Sequence, residues 1–272
     1  KKAFFDALPA QALALVNSDD RNGMVMLQNT RAKRQTYALK TPADFKGKIM
    51  ENSLSGLILQ INGQEVHTRL VGAFNASNLL LVYGLAVGLG QEPLEVLRVL
   101  SQLTHVAGRF EHLRSPKGIT AIVDYAHTPD AVETAIKALR PHVMGRLIVV
   151  MGAGGDRDTT KRPLMGRAAA DFADQVFVTD DNPRTEDPAK IRAAVMEGAL
   201  EAGGIGARGV SVIEVGDRAE AILRGVDALT PGDALLIAGK GHETGQIIGT
   251  DVYPFDDVEQ ASVAVAALDG RI

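Results

Sequence analysis

The spacing of apolar positions changes part-way along the 272-residue chain, and the change predicts two kinds of architecture. In the later part, Leu147 to Met151, Gln175 to Thr179, Val210 to Val215 and Ala234 to Ala238 read as strands. Between and after them, Pro163 to Phe172, Ala189 to Ala202, Ala219 to Ala228 and Val258 to Leu268 carry helical spacing. Continuous apolar strands alternating with helices predict an α/β fold whose sheet is mostly parallel and covered on both faces. Up to about Arg114 the pattern is mixed: a short helix, the apolar run Ala12 to Val16 ending in Asn17-Ser18-Asp19-Asp20, then alternating stretches. Ile58 to Ile61 and Glu65 to Leu70 flank Asn62-Gly63, a strong hairpin signal. Asn75 is placed to cap a helix over Ala76 to Gly88, and Pro93 opens another that ends near Leu103. Ala121 to Val123 read as a buried strand that delivers Asp124-Tyr125-Ala126-His127 to a helix start at Thr128-Pro129. The texture changes near Pro141 to Gly145, so the expected domains are residues 1–142 and 143–272.

Composition narrows the function classes. With 46% hydrophobic and 23% charged residues the chain reads as an ordinary globular protein, and a net charge of -4 supplies no field for generic nucleic-acid binding. No apolar stretch approaches the roughly 20 residues that span a bilayer, and Lys1 to Leu8 does not read as a signal peptide, so a cytoplasmic protein without membrane attachment is expected. The absence of cysteine excludes disulfides, thiolate metal sites and a cysteine nucleophile. The chain opens at Lys1 within an apparent amphipathic helix, which suggests a segment of a longer protein.

In an open parallel sheet ligands gather beyond the carboxyl ends of the strands, so the loops that follow each strand are the informative ones. Gly152-Ala153-Gly154-Gly155-Asp156-Arg157-Asp158 begins like a dinucleotide fingerprint but has Arg157 where the third glycine would fall, which argues against a nicotinamide-dependent dehydrogenase. The other two loops are Asp180-Asp181-Asn182-Pro183-Arg184 and Gly239-Lys240-Gly241-His242-Glu243. Singly, each is good turn chemistry. Together they bring two arginines, Asn182 and a carboxylate to one sheet edge, the complement of a zwitterion with an additional carboxylate. The bottom-up expectation is a pocket for a small amino-acid-like ligand. Earlier in the chain, Arg109 is suited to phosphate and Asp124 to ribose hydroxyls, whereas Asn75 as a cap, Arg109 as an ion-pair residue and His127 as a satisfied helix-start residue are equally good readings.

Seven segments in order carry a resemblance over essentially the whole chain: Phe74-Asn75-Ala76-Ser77-Asn78-Leu79-Leu80, Gly108-Arg109-Phe110-Glu111, Val123 to Asp130, Gly154 to Asp158, Lys161-Arg162-Pro163-Leu164-Met165-Gly166, Asp181-Asn182-Pro183-Arg184 and Gly239 to Glu243. Together they resemble the Mur ligases, ATP-dependent amide-forming enzymes of peptidoglycan precursor synthesis, and closely the MurE type. The resemblance implies the latter part of a central ATPase domain followed by a C-terminal Rossmann-like domain that holds the incoming amino acid. It implies Asn75 and Asn78 at adenine, Arg109 at the phosphates, Asp124 at the ribose and His127 nearby in the nucleotide cleft. A carbamylated lysine near the metal ions corresponds best to Lys1. ATP and Mg2+ are the implied cofactors.

For the amino-acid site the resemblance implies Arg157, Asp181, Asn182, Pro183, Arg184, Gly239 and Glu243, largely the residues singled out at the strand ends. An Asp-Asn-Pro-Arg loop marks meso-diaminopimelate, with Arg184 pairing its distal carboxylate and Asn182, Gly239 and Glu243 completing recognition of the distal amino-acid group. The implied reaction activates the D-glutamyl carboxylate of UDP-MurNAc-L-Ala-D-Glu as an acyl phosphate, which the diaminopimelate amine attacks with phosphate leaving. The sequence departs from the family in having no Gly-Lys-Thr phosphate loop, so this chain alone is expected to keep the amino-acid site without ligating. A lysine-adding ligase and a non-catalytic binding module descended from a ligase remain the alternatives. A monomer is the family-based expectation.

Overall fold

The computed structural model describes residues 1–205 and 209–271, with side chains undescribed at residues 203–205. Two compact units divide it, Lys1–His105 and Val106–Ile272. The expected division at residues 142/143 therefore falls inside the second unit.

The first unit runs α1 (Lys2–Asp6), β1 (Leu13–Asn17), α2 (Gly23–Met26), β2 (Lys33–Ala38), β3 (Phe45–Ser53), β4 (Gly56–Ile61), β5 (Gln64–Thr68), α3 (Ala73–Gly88) and α4 (Pro93–Gln102). Its five strands lie in sequence order, β1 to β3 parallel and β3 to β5 antiparallel. Asn62 and Gly63 join β4 to β5 with φ values of 46° and 87°, the left-handed pair that a tight hairpin requires. Leu57, Leu59, Ile61 and Val66 from this hairpin pack with Leu79, Leu80, Tyr83 and Leu100 from the two long helices, which forms the core of the unit. The cap expected at Asn75 is displaced. The N-cap of α3 is Gly72, at φ 94°, and Asn75 sits within the first turn with its Nδ2 donating to the Val71 carbonyl at 2.7 Å. Glycine at residue 72 lets the chain turn into the helix three residues earlier than polarity alone suggested.

The second unit comprises β6 (Glu111–Arg114), β7 (Thr120–Asp124), α5 (Pro129–Leu139), β8 (Leu147–Met151), α6 (Lys161–Phe172), β9 (Gln175–Val178), α7 (Pro188–Ile205), β10 (Ser211–Glu214), α8 (Arg218–Asp227), β11 (Ala234–Ala238), β12 (Gly245–Ile248), β13 (Asp251–Pro254) and α9 (Asp257–Leu268). Its six-stranded sheet has the order β10-β9-β8-β11-β7-β6 among the described residues, parallel except where β6 pairs with β7. Every residue of β8 and β11 is buried, as expected of central strands covered on both faces. The register of β7 on β11, Thr120 opposite Ala234 through Asp124 opposite Ala238, explains the displaced boundary. Strand β7 belongs to the second sheet and takes α5 with it. Helix α5 begins as expected, with Thr128 accepting from Ala131 and Pro129 in the first turn.

Candidate functional site

Strands β7, β8, β9 and β11 end side by side, so their loops converge at one edge of the sheet. There they line a cleft of about 300 Å3. Arg157, Asp181, Asn182, Arg184, Gly239 and Glu243, expected from the sequence, all line it, together with His127, Tyr125 and Lys161. Pro183 contributes backbone: its carbonyl oxygen would lie 1.9 Å from a Cβ on Gly155. Only glycine lets the loop after β8 approach the loop after β9 this closely.

Arg184 is held in an unusual conformation. Its φ is 52°, costly for a side chain without local compensation. That compensation comes from β12, since the Arg184 N–H donates to the Ile247 carbonyl at 3.0 Å and the Gly249 N–H donates to the Arg184 carbonyl at 2.7 Å. Nη1 donates to the Gly155 carbonyl at 2.8 Å and, more weakly, to that of Asn182 at 3.4 Å, so the described guanidinium bonds all leave from one nitrogen. Below it, Asn182 is buried, with 4% of its surface exposed. Its Oδ1 accepts from Lys240 Nζ and from the Ile247 N–H, both at 2.9 Å, and its Nδ2 donates to Glu243 Oε2 at 2.8 Å. Gln246 Nε2 donates to the Asp181 carbonyl at 2.9 Å, a further tie between the β12–β13 hairpin and this loop.

Two further networks hold the loops in place. Arg162 reaches Glu186 through two bonds of 2.9 and 2.8 Å, and Glu186 also accepts from the Asp156 N–H, which buckles the loop after β8 to the segment after Arg184. Beneath Gly239, the solvent-free pair Arg218–Asp257 forms two bonds of 2.7 Å, and Arg218 also donates to the Ala238 carbonyl. The Asp257 carboxylate, with smaller help from Asp181 and Glu243, more than offsets burial and raises the Arg218 pKa. Arg157 is exposed at the rim, and Lys161 Nζ donates to the His127 carbonyl at 3.3 Å.

The expected nucleotide residues fall into two sets. Asn75 and Asn78 lie on α3 in the first unit, where Asn78 Nδ2 donates to Asn75 Oδ1 at 3.1 Å. Lys1 is exposed at the N-cap of α1, while Lys2 pairs with Asp6 at 2.7 Å. In the second unit Asp124 Oδ2 accepts from the Phe110 N–H at 2.9 Å; burial raises its pKa against the opposing N–H groups of Phe110 and Ala126. The Arg109 guanidinium lies over the Tyr125 ring at 4.5 Å, and the His127 and His242 rings lie 4.5 and 5.0 Å from that ring. His127 Nδ1 is 2.7 Å from the Tyr125 carbonyl. Among the described residues no group of three or more His, Asp or Glu side chains is arranged to hold a metal. Nor does any helix among them have the length and apolarity to cross a membrane.

Sequence reasoning named the glycine-flanked lysine of the third loop without a role for Lys240, and it did not anticipate the β12–β13 hairpin. The available signal for the hairpin was Ile247-Ile248 and Val252-Tyr253 around Gly249-Thr250.

Known families match this arrangement. Residues 1–86 match the Mur ligase middle domain and residues 108–241 the glutamate ligase domain of the Mur ligases. The chain belongs to the Mur ligase family. This chain is 50% identical over 261 residues to the UDP-N-acetylmuramoyl-L-alanyl-D-glutamate--2,6-diaminopimelate ligase of Phocaeicola vulgatus, covering 95% of this chain and 53% of that protein. It is also 50% identical over 262 residues to the ligase of the same name from Parabacteroides distasonis, covering 96% of this chain and 53% of that one. A solved structure of a 2,6-diaminopimelate ligase of this name is 36% identical, with a TM-score of 0.63 over 94% of this chain and 53% of the other. The chain thus spans about half the length of these relatives.

Proposed function

We propose that the chain carries the amino-acid site of an ATP-dependent ligase that adds meso-diaminopimelate to UDP-MurNAc-L-Ala-D-Glu in peptidoglycan precursor synthesis. The observation that carries this reading is the pairing, in one cleft, of the Arg184 guanidinium with the Asn182–Glu243 couple. Arg184 receives the distal carboxylate of diaminopimelate, and Glu243 accepts from the distal ammonium. Arg157 and Lys161 add positive charge at the rim, which favours a ligand with more than one carboxylate. A charge-assisted pair contributes about 1.5–3 kcal/mol, and a site built around such a partner rejects an analogue that lacks it, here lysine. The relatives named as 2,6-diaminopimelate ligases support the same reading.

For the whole protein the reading assigns Asn75, Asn78, Arg109 and Asp124 to the nucleotide and His127 to the region where the two ligands meet. Lys1, exposed where Lys2 is paired, is the residue assigned to carbamylation. ATP, when bound, supplies the phosphoryl group that activates the carboxylate. The work assigned to this chain's residues is to bind the incoming amino acid, orient its amine and neutralise its charges, a contribution of positioning. Because the sequence has no Gly-Lys-Thr loop, the 272 residues by themselves are expected to bind diaminopimelate without ligating. The reading places the protein in the cytoplasm as a monomer.

Ligand-observed NMR with meso-diaminopimelate and L-lysine in parallel, on this chain and on Arg184→Ala, tests the site without requiring a phosphate loop. Selective diaminopimelate binding that is lost in Arg184→Ala is the expected result. Equal binding of both amino acids would refute the role of Arg184 and favour a lysine-adding ligase. Binding of neither refutes the pocket.

A further inference from the structure

Lys240 is the one lysine buried among the described residues, with none of its surface exposed. A buried ammonium is costly unless its charge and donors are met. Here its nearest partner is a neutral amide oxygen, Asn182 Oδ1 at 2.9 Å, whereas Glu243 Oε2 stands at 3.4 Å and Asp181 Oδ1 at 3.6 Å. A lysine present only to neutralise Asp181 would close on that carboxylate. Instead Asp181 Oδ1 has no hydrogen-bond partner.

We propose that Lys240 is a positioning residue of the amino-acid site, fixing which way the Asn182 amide faces and which oxygen of Glu243 meets the ligand. The proposal rests on the amino-acid reading above. Two donors, Lys240 Nζ and the Ile247 N–H, point at Asn182 Oδ1, so a flipped amide would bring its own NH2 against both and lose its bond to Glu243. The amide is locked. Its Nδ2 and Lys240 then both engage Oε2 of Glu243, and the described bonds of that carboxylate all fall on this oxygen. With about a third of its side chain exposed, Glu243 is left to offer Oε1 to the cleft. Around Lys240 itself, Arg218 and Asp257 pair with each other, and Lys240 stands between the carboxylates of Asp181 and Glu243.

The test compares Lys240→Met, which keeps the chain length and removes the charge, with the unmodified chain by NMR titration of meso-diaminopimelate and L-lysine. In a folded Lys240→Met chain, diaminopimelate affinity should fall about tenfold or more. In a Glu243→Gln background the same substitution should cost less than about twofold more, because its effect passes through Glu243. A merely structural lysine would lower both backgrounds equally, and that result, or an unchanged diaminopimelate affinity, overturns the proposal. Should Lys240→Met not fold, the unmodified chain still decides: the shielded Lys240 ammonium should give a 1H–15N signal that shifts when diaminopimelate binds. No response by that signal to bound diaminopimelate overturns the role of Lys240 alone. Absence of diaminopimelate binding to the unmodified chain overturns the amino-acid site and this role together.

Discussion

Each unit places a polar side chain just beyond the carboxyl end of a parallel strand and gathers donors around it, yet the two arrangements differ in what they leave over. After β1, the Asp19 carboxylate accepts from the N–H groups of Leu39, Lys40 and Thr41 and from the Thr41 hydroxyl, at 2.7 to 3.2 Å, and both oxygens are used. After β9, Asn182 also has both ends engaged, but one of its partners is Glu243, which faces a cleft. A carboxylate closed by backbone donors pins the turn between β2 and β3 and has little capacity left for a ligand. A relay that ends on a half-open carboxylate transmits order to the ligand surface. A polar residue at a strand end thus marks a site only when its partners leave an acceptor or donor unspent.

Substitutions can break each arrangement in its own way. The largest effect is expected at Gly155, where a methyl group would meet the Pro183 oxygen at 1.9 Å and must push the two cleft loops apart. Gly155→Ala should destabilise the second unit by about 3 kcal/mol, at the upper end of overpacking costs, and abolish diaminopimelate binding. Thermal denaturation and ligand titration check the two parts. Next is Asp19→Ala, which leaves the N–H groups of residues 39 to 41 without their acceptor while water reaches some of them. A loss of about 2 kcal/mol, measured by urea unfolding, is expected, with no change in amino-acid binding by the second unit. Below these, Thr128→Ala removes the cap that accepts from Ala131 and should cost about 1 kcal/mol by the same measurement.

How much of this was legible in the sequence depended on whether the deciding contact was local. Strands β8 and β11 have the bounds expected from their apolar runs, and the Asn62-Gly63 hairpin follows from two residues whose backbone preference is intrinsic. The convergence of Arg157, Asn182, Arg184 and Glu243 was also readable, because the rule that loops after parallel strands share one edge needs no knowledge of strand order. The unit boundary was not, since it turns on β7 pairing with β11 across more than a hundred residues of chain. Lys240 shows the same limit. A lysine between two glycines reads as exposed, and only Asn182, brought up from the loop after β9, turns it into a buried donor.

The finest contrast is acid titration, because the caged Asp19 and Asp124, at the end of β7, respond with opposite sign. Burial alone would raise Asp19, but the N–H groups of Thr41, Lys40 and Leu39 outweigh it and hold its pKa at about 2, against 3.8 for a free aspartate. The folded state therefore releases this proton more readily than the unfolded chain. The resulting stability is complete above pH 3.8 and is lost as pH falls towards about 2. Solvent screening at this partly exposed site reduces it to about 1 kcal/mol. At Asp124 burial prevails over the Phe110 and Ala126 N–H groups and the folded pKa lies above 3.8. There the charged form is the costly one, so acidification through the folded pKa relieves a destabilisation instead of creating one. Carboxyl 13C NMR should place the Asp19 midpoint near 2 and the Asp124 midpoint above 3.8. Asp19→Asn should flatten the acid limb of the first unit's stability, and Asp124→Asn should remove the relief in the second. Coincident midpoints would mean that the two strand-end carboxylates share one environment, and that burial at Asp124 does not outweigh its N–H donors.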